Sequence, residues 1–338
     1  MKILTAAAAA ALTLSAMDAQ AQGALNVICS AQIEWCQAMA TEYQKSTGVK
    51  MAMVQKGSGE ALAQITAEAA NPRTDVWFGG TGDPHLQAAE RGLTTDYTSP
   101  NLGQLHEWAR AQHKQSGGKT VGVYMGALGF GYNTESLAKK KAKPPACWSD
   151  LLRPEFKGEV QMANPASSGT AYTAIATLVQ VMGEEKAFEY LKALNRNVSQ
   201  YTKSGTAPVK NVARGEATVS VSFIHDAVTE AVGGFPVKSS TPCEGTGYEI
   251  GSMSVIKGSR NLEAAKKFYD WALTAPAQEI GAATKQFQVP SNRSAKVNPL
   301  APDFSKIKLI DYDSAKYGAS AERKRLIDRW ERDVGGAK

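Results

Sequence analysis

Residues 162–170 contain the side chains in this chain that are best suited to binding an anion. A strand-like segment precedes them, and an apolar helical pattern begins just after Ser168. The hydroxyl groups of Ser167, Ser168 and Thr170 therefore lie where a helix exposes unpaired N–H groups and the positive end of its dipole. A plain helix cap at Ser167 or Ser168 explains the same residues equally simply. The segment predicts a phosphate or carboxylate site only if other features agree with it.

The first 21 residues are typical of a secretory signal. Lys2 supplies the positive start, residues 3–17 form a short alanine-rich apolar run, and Ala19-Gln20-Ala21 fits the small-x-small cleavage rule. This run is too short to cross a bilayer, and no later apolar run reaches the ~18 residues that a membrane helix needs. We expect cleavage after Ala21 and a mature protein outside the cytoplasm.

The net charge of +6 is spread along the chain. The basic runs at residues 139–141 and 323–325 are short and have no aromatic residues between them, which argues against nucleic-acid binding. A mild positive excess suits an anionic ligand through electrostatic steering.

An even number of cysteines in an exported chain indicates disulfides rather than free thiols. Cys29, Cys36, Cys147 and Cys243 allow three pairings, of which we favour Cys29–Cys36 and Cys147–Cys243. A zinc site is not expected, because the sequence lacks close pairs of cysteine or histidine.

Strand and helix patterns alternate from residue 25 onwards. Strands are predicted at residues 25–29, 49–54 and 75–80, with helices after each at 32–47, 61–70 and 84–91. This alternation predicts a mostly parallel sheet, and a second α/β block follows Tyr124. Ligands of such sheets bind beyond the carboxyl ends of the strands. The residues expected to close over a ligand from this first block are Ser30, Ser58, Gly59 and Thr81.

The chain resembles bacterial periplasmic solute-binding proteins of ABC transporters, in the two-lobed group that includes ferric-iron binders. The resemblance covers nearly the whole mature chain and depends on the order and spacing of short landmarks at residues 57–60, 74–80, 131–133, 144–152, 158–160, 215–217 and 288–290. It implies an α/β fold of the type II periplasmic-binding-protein kind, with mixed sheets, helices on both faces and two crossing hinge strands. It also implies a monomer that binds its ligand in a cleft and delivers it to an inner-membrane ABC permease, without a cofactor.

The predicted lobes are discontinuous in sequence. The first comprises residues 22–123 plus 252–300, and the second comprises residues 124–251 plus 301–338.

The resemblance also predicts the ligand class. Iron binders of this group carry two adjacent tyrosines after the strand that follows the Gly-Glu landmark, whereas this chain has Phe223-Ile224-His225-Asp226 there. The position that holds a phosphate anion in iron binders matches Ser168-Gly169-Thr170, and a second anion contact matches the turn containing Ser204 and Thr206. His225-Asp226 with Glu249 is similar to the branch that binds hexose phosphates.

The predicted roles follow from that comparison. Phosphate is expected at Ser168, Gly169, Thr170, Ser204 and Thr206. Asp226 and Glu249 are expected to accept hydrogen bonds from sugar hydroxyls, with His225 donating to either end. The alternatives are a turn and cap at residues 204–206 and a satisfied histidine at a strand end. Glu244 is a rival carboxylate in a predicted solvated loop.

Three aromatic residues could stack on a sugar face: Trp35, Trp77 and Tyr132. For Trp77 a place in the core is the better interpretation, while Trp35 could serve either purpose.

Competing functions are Fe(III) binding, organophosphonate or simple oxyanion binding, and, outside the binding class, a secreted phosphatase. The sequence has no G-x-S-x-G or H-E-x-x-H motif and no metal-ligand cluster, so no catalytic or metal-binding residue is assigned. His225 and Asp226 are adjacent, and in an extended segment they would point to opposite sides, unlike a base and its orienting acid.

Overall fold

A computed structural model describes residues 24–335, so the predicted signal segment lies outside the described residues. Within this range no helix is both long and apolar enough to cross a membrane. The strands are β1 (Leu25–Cys29), β2 (Met51–Gln55), β3 (Val76–Phe78), β4 (Thr94–Thr95), β5 (Val121–Asn133), β6 (Val160–Ala163), β7 (Val198–Thr202), β8 (Val219–Phe223), β9 (Val237–Ser240), β10 (Tyr248–Ile256) and β11 (Val289–Pro290). The α-helices are α1 (Ile33–Thr47), α2 (Ser58–Ala67), α3 (Gly82–Glu90), α4 (Glu107–Gln115), α5 (Thr134–Lys140), α6 (Gly169–Met182), α7 (Glu184–Asn195), α8 (Ala207–Ala213), α9 (Ile224–Val232), α10 (Leu262–Ala272), α11 (Ala275–Ala283), α12 (Ser314–Tyr317) and α13 (Ser320–Asp333).

The sheet is mixed rather than mostly parallel. Its order is β2-β1-β3-β10-β5-β8-β6-β7, with β4 paired to β10 and with β9 and β11 paired to β5. Pairing is parallel within β2-β1-β3 and within β8-β6-β7, but antiparallel wherever β5 or β10 takes part. The expectation of a mostly parallel sheet was therefore wrong. Two long strands that run against their neighbours account for the difference.

These two long strands, β5 and β10, connect the halves of the molecule. The first part of β5 pairs with β10, with Met125 opposite Ile250, and its last part pairs with β8, with Leu128 opposite Phe223. The other end of β10 pairs with β3. They are the two crossing strands that the family resemblance predicts.

Each half has its own hydrophobic core. One buried cluster includes Leu25, Phe78 and Phe268, and a second includes Phe130 and Leu326. Its members show that α13, at the end of the described chain, packs with the second half. The two cores agree with a two-lobed fold, while the residue boundaries of the lobes stay a prediction.

Both favoured disulfides form. Cys29 at the end of β1 bonds to Cys36 in α1, and Cys147 bonds to Cys243 across 96 residues of sequence. The first bond fixes the start of α1 against the strand that it follows. The second joins two loops of the second half.

Candidate ligand-binding site

A cavity of about 180 Å³ lies where six helices begin. Each helix contributes its N-cap or first residue to the cavity lining. These are Gln32 for α1, Ser58 for α2, Thr81 for α3, Ser168 for α6, Thr206 for α8 and Phe223 for α9. Helix N-termini present unpaired N–H groups and the positive end of the helix dipole. The backbone therefore makes this cavity attractive to an anion before any side-chain charge is considered.

Eleven of the twelve predicted ligand-binding residues line this cavity. The exception is Gly59, which contacts the other half of the molecule instead. Its N–H donates to the carbonyl oxygen of Ser167 at 3.0 Å, and a Cβ atom at Gly59 would overlap the carbonyl oxygen of Ala166. The remaining lining residues are Ala31, Gln32, Gln55, Lys56, Gly57, Glu60, Gly80, Tyr124, Gly205, Phe223 and Gln288.

One part of the lining, which we call the hydroxyl cluster, consists of Ser58, Thr81, Ser168, Thr170, Ser204 and Thr206. Ser168 caps α6, because its Oγ accepts the N–H of Ala171 at 3.4 Å. This confirms the simpler interpretation of Ser168, yet the cap and the cavity are compatible because the N–H groups of Gly169 and Thr170 have no partner among residues 24–335.

The loop before α8 reaches α6 through a glycine. A Cβ atom at Gly205 would overlap the hydroxyl oxygen of Thr170, so only glycine permits this approach. Ser204 Oγ lies 3.0 Å from Thr206 Oγ1 and accepts the N–H of Thr206 at 3.3 Å, which is a local turn. The interpretation of residues 204–206 as a turn is confirmed. Ser204 and Thr206 are nevertheless part of the cavity lining.

Gly169 and Thr81 mark where the halves meet at the hydroxyl cluster. A Cβ atom at Gly169 would overlap the Thr81 side chain. Thr81 is 2% exposed, and its side chain interacts with the Asp83 carboxyl, whose pKa it lowers. Thr81 also lines the cavity, which makes its hydroxyl a candidate contact for a ligand.

A second part of the lining, the acidic cluster, consists of Gln32, His225, Asp226 and Glu249. Gln32 Nε2 donates to Asp226 Oδ1 at 2.6 Å, and Gln288 Nε2 donates to Gln32 Oε1 at 3.1 Å. His225 Nε2 lies 3.6 Å from Asp226 Oδ1 and 3.8 Å from Glu249 Oε1, beyond hydrogen-bond distance. Its Nδ1 is buried without a partner among the described residues.

Burial determines the charges in the acidic cluster. It lowers the pKa of His225 to about 3, so the imidazole is neutral and forms no ion pair with the adjacent carboxyls. Burial raises the pKa of Asp226 to about 7, although the hydrogen bond from Gln32 and the charge of Lys210 oppose that change. Burial, followed by repulsion from Asp226, holds the pKa of Glu249 well above its usual range.

The expected orientation of His225 and Asp226 was wrong. They lie in the first turn of α9 rather than in an extended segment, because the chain turns into a helix directly after Phe223. Both side chains line the cavity. Within residues 24–335, no serine or threonine hydroxyl is hydrogen-bonded to the buried Nδ1 of His225.

Several lining residues were missed. Lys56 follows β2 at its carboxyl end, so the strand-end rule that selected Ser30 could also have found it. Tyr124 accepts the N–H of Gly80 through its hydroxyl oxygen at 2.8 Å, and the Phe223 ring stacks on His225 with centroids 5.6 Å apart. Gln32 and Gln288 meet across 256 residues, and nothing local in the sequence marks such a pair.

The predicted stacking residues lie outside the cavity lining. Trp77 is fully buried and donates to Ser30 Oγ at 2.8 Å, which confirms its place in the core. Trp35 and Tyr132 are buried in the first and second cores.

The rival carboxylate of Glu244 accepts the backbone N–H of Trp148 at 3.0 Å, away from the cavity. With Cys147 and Cys243 it forms the one close group of possible metal ligands in the described part of the chain. Those sulfur atoms form a disulfide, so they are not thiolate ligands.

Comparison with known proteins extends these observations. The family model for a bacterial extracellular solute-binding protein matches residues 79–317. An uncharacterized protein of Haemophilus influenzae is 48% identical over 342 residues, covering 100% of this chain and 98% of its own.

Two further proteins carry ligand names. The structure of the periplasmic binding protein AfuA from Actinobacillus pleuropneumoniae, with exogenous fructose-6-phosphate bound, is 47% identical, has a TM-score of 0.89 and covers 93% of this chain and 99% of that chain. The Fe(3+)-binding periplasmic protein of Serratia marcescens is 26% identical, covering 82% of this chain and 80% of its own.

Proposed function

The chain belongs to the family of bacterial extracellular solute-binding proteins, the periplasmic substrate-binding components of ABC importers, and on this premise we propose that it captures a hexose phosphate. The ligand-bound protein then delivers the ligand to an inner-membrane permease. Its role is binding without chemistry.

One observation carries the proposal: the hydroxyl cluster and the acidic cluster line the same cavity. Hydroxyl and N–H groups at helix N-termini suit a phosphate, and carboxyl oxygens of Asp226 and Glu249 suit the donors of a sugar. A ligand with an anionic head and a polyol body satisfies both groups at once.

The comparison with AfuA supports the same ligand class. That protein is 47% identical over nearly the whole chain, and its structure contains fructose-6-phosphate. At this similarity the two proteins share one fold, so their ligand cavities are expected to differ only in individual residues.

Iron is a poorer fit to this cavity. Fe(III) favours hard anionic oxygen ligands such as phenolates, and Tyr124 is the one tyrosine of the described lining. Its hydroxyl is engaged by the N–H of Gly80, and burial holds its pKa well above the usual range, which disfavours a phenolate.

Lobe closure provides the binding mechanism. A ligand that touches both halves stabilises the closed form by its difference in affinity for the closed and open forms. Charge-assisted hydrogen bonds contribute about 1.5–3 kcal/mol each, so several of them, less the ordering entropy, account for a dissociation constant in the micromolar to nanomolar range, about −8 to −12 kcal/mol.

A thermal-shift screen followed by titration calorimetry tests the proposal. Fructose 6-phosphate and glucose 6-phosphate should raise the Tm, since a ligand at 100 times its Kd adds about 2.7 kcal/mol of stability. Inorganic phosphate should bind more weakly, and unphosphorylated fructose should have no effect. Stronger binding of ferric citrate or 2-aminoethylphosphonate than of either hexose phosphate would overturn the assignment.

A further inference from the structure

The two carboxyl groups of the acidic cluster have no counter-cation from the protein. Among residues 24–335, no lysine or arginine nitrogen lies within 4.0 Å of Asp226 or Glu249; the nearby basic group is the neutral imidazole of His225. Buried carboxyls are ordinarily paired with a cation or fully hydrogen-bonded.

Both groups are deeply buried and incompletely hydrogen-bonded. Asp226 is 4% exposed and Glu249 is 5% exposed. Asp226 accepts one hydrogen bond, from Gln32, whereas Glu249 accepts none from a described side chain. The structure therefore leaves acceptor capacity on both carboxyls directed at a cavity that a small molecule can enter.

The backbone of β5 closes the other side of the cluster. A Cβ atom at Gly126 would lie 2.6 Å from His225 Nδ1 and 3.1 Å from Glu249 Oε1. No protein cation can enter from that side. Asp226 also lines a second cavity that contains Lys210, but no lysine nitrogen lies within 4.0 Å of its carboxyl among residues 24–335. Both carboxyls together line the cavity that holds the hydroxyl cluster, and a positive group can reach both of them from there.

We infer that the acidic cluster accepts an ammonium group, and that the ligands of this protein include amino-hexose phosphates whose amine contacts Asp226 and Glu249. The inference rests on the proposed function, because it keeps the phosphate at the hydroxyl cluster. It adds the chemical class of the sugar.

Charge explains the preference. With a hydroxyl group as partner, two buried carboxyls close together are best accommodated when one of them holds a proton. An ammonium group allows both to ionise and contributes charge-assisted hydrogen bonds in a buried site. Binding an amino sugar therefore releases a proton that binding a neutral sugar retains.

The charges around the acidic cluster support a preference for an ammonium group. The raised pKa values of Asp226 and Glu249 show that an uncompensated negative charge is unfavourable there. The titratable groups that face the two carboxyls from the surrounding elements are His225 and Glu230 on α9, Lys210 on α8, Asp83 on α3 and Tyr124 on β5. Lys210 is the one cation among them, and it acts at a distance.

Titration calorimetry with glucosamine 6-phosphate and glucose 6-phosphate tests the inference, at about pH 6 and about pH 7.5 in two buffers of different ionisation enthalpy. We expect glucosamine 6-phosphate to bind about tenfold more tightly at the higher pH, with net proton release, because a charge-assisted bond replaces a neutral one. The advantage should shrink at the lower pH. Glu249→Gln should abolish it and should end the proton release.

Glu189→Gln is the control, since Glu189 is exposed on α7 and lies outside the lining of this cavity. This variant should keep the preference for the amino sugar. Equal affinities for the two sugars at about pH 7.5, or a preference that survives Glu249→Gln, would overturn the inference while leaving hexose phosphate binding intact. Failure of both sugars to bind would instead overturn the proposed function.

Discussion

Arg323 in α13 forms a buried ion pair with Asp83 in the first turn of α3, with 3.3 Å between Arg323 Nη1 and Asp83 Oδ2. The same guanidinium donates to the carbonyl oxygen of Pro165 at 3.2 Å and lies over the ring of Tyr172. Asp83 follows Thr81, and Pro165 precedes Ser168 in the chain. One side chain therefore links the segment of Thr81 to the segment of Ser168 and Thr170, two of the segments that carry the hydroxyl cluster.

Removing that cation should destabilise the protein strongly. Arg323 is 5% exposed, and Arg323→Met leaves the Asp83 carboxyl buried without a partner. We expect a loss of about 3–5 kcal/mol in the free energy of unfolding, measured by urea denaturation. Burial already raises the pKa of Asp83 to about 6 despite the arginine, so the double variant Asp83→Asn/Arg323→Met should recover much of the loss.

Arg325→Met provides the control on the same helix. Arg325 pairs with Glu184 and Glu322 with its side chain 47% exposed, so its loss should cost less than about 1 kcal/mol. If the two single variants are equally stable, the buried pair has no special role.

Asp226 should make unliganded stability pH-dependent. Its pKa is raised to about 7, above the ~3.9 of an exposed aspartate, so its stabilising contribution is complete below about pH 4 and is lost as the pH rises through about 7. Asp226→Asn removes the ionisation and keeps the Oδ1 that accepts from Gln32. Above pH 7 this variant should be more stable than the unchanged protein, by on the order of 4 kcal/mol.

The difference between the two unfolding free energies should shrink towards zero as the pH falls to about 4. His225 titrates in the opposite sense, because its lowered pKa gives stability above ~6.5 that is lost as the pH falls towards 3. The contribution of Asp226 is therefore the difference in unfolding free energy between the unchanged protein and Asp226→Asn, in which the contribution of His225 cancels. An asparagine variant that is less stable at pH 8 would contradict the assigned burial cost.

The fold could be predicted further than the site. Alternating patterns located β1, α1 and β2 to within a few residues, and both disulfides agreed with the favoured pairing. The reversed direction of β5 and β10 could not be read from periodicity, since a buried strand has the same pattern in either direction. Only the family resemblance supplied the crossing strands.

Strand-end and helix-start rules selected Ser30, Thr81 and Ser168, which lie in the cavity lining. They also selected Gly59, which lies outside it, because a glycine that permits backbone approach to another lobe has the same local sequence as one that faces a ligand. They also missed the contact from Gln32 to Asp226, which joins residues 194 positions apart and exists only in the folded chain.

The two clusters should discriminate ligands differently. Asp226→Ala should weaken the binding of glucose 6-phosphate far more than that of inorganic phosphate, because in the proposed binding mode the carboxyl contacts only the sugar. Thr170→Val should weaken both ligands alike, by about 0.5–1.5 kcal/mol for a neutral hydrogen bond and up to about 3 kcal/mol to a charged group. Calorimetric Kd values for both ligands provide the measurement.

Thr173→Val is the control for Thr170→Val, since Thr173 is buried one turn later on α6 and lies outside the cavity lining. Its affinity for both ligands should stay unchanged. Equal losses for sugar phosphate and phosphate in Asp226→Ala would remove Asp226 from the sugar contact.

Gly169→Ala should separate lobe closure from folding. Alanine suits the first turn of α6 better than glycine does and lowers the entropy of the unfolded chain, so unliganded stability should be unchanged or rise by about 0.4–1 kcal/mol. In the arrangement that the structure shows, with the two halves in contact at this point, the new methyl group would overlap the Thr81 side chain. The variant should bind hexose phosphate at least about tenfold more weakly, and ligand should no longer reduce its radius of gyration in small-angle scattering.

Gly103→Ala is the matched control, because a Cβ atom there has nothing within 4 Å. Normal affinity and normal compaction in Gly169→Ala would show that the contact between Gly169 and Thr81 does not limit closure.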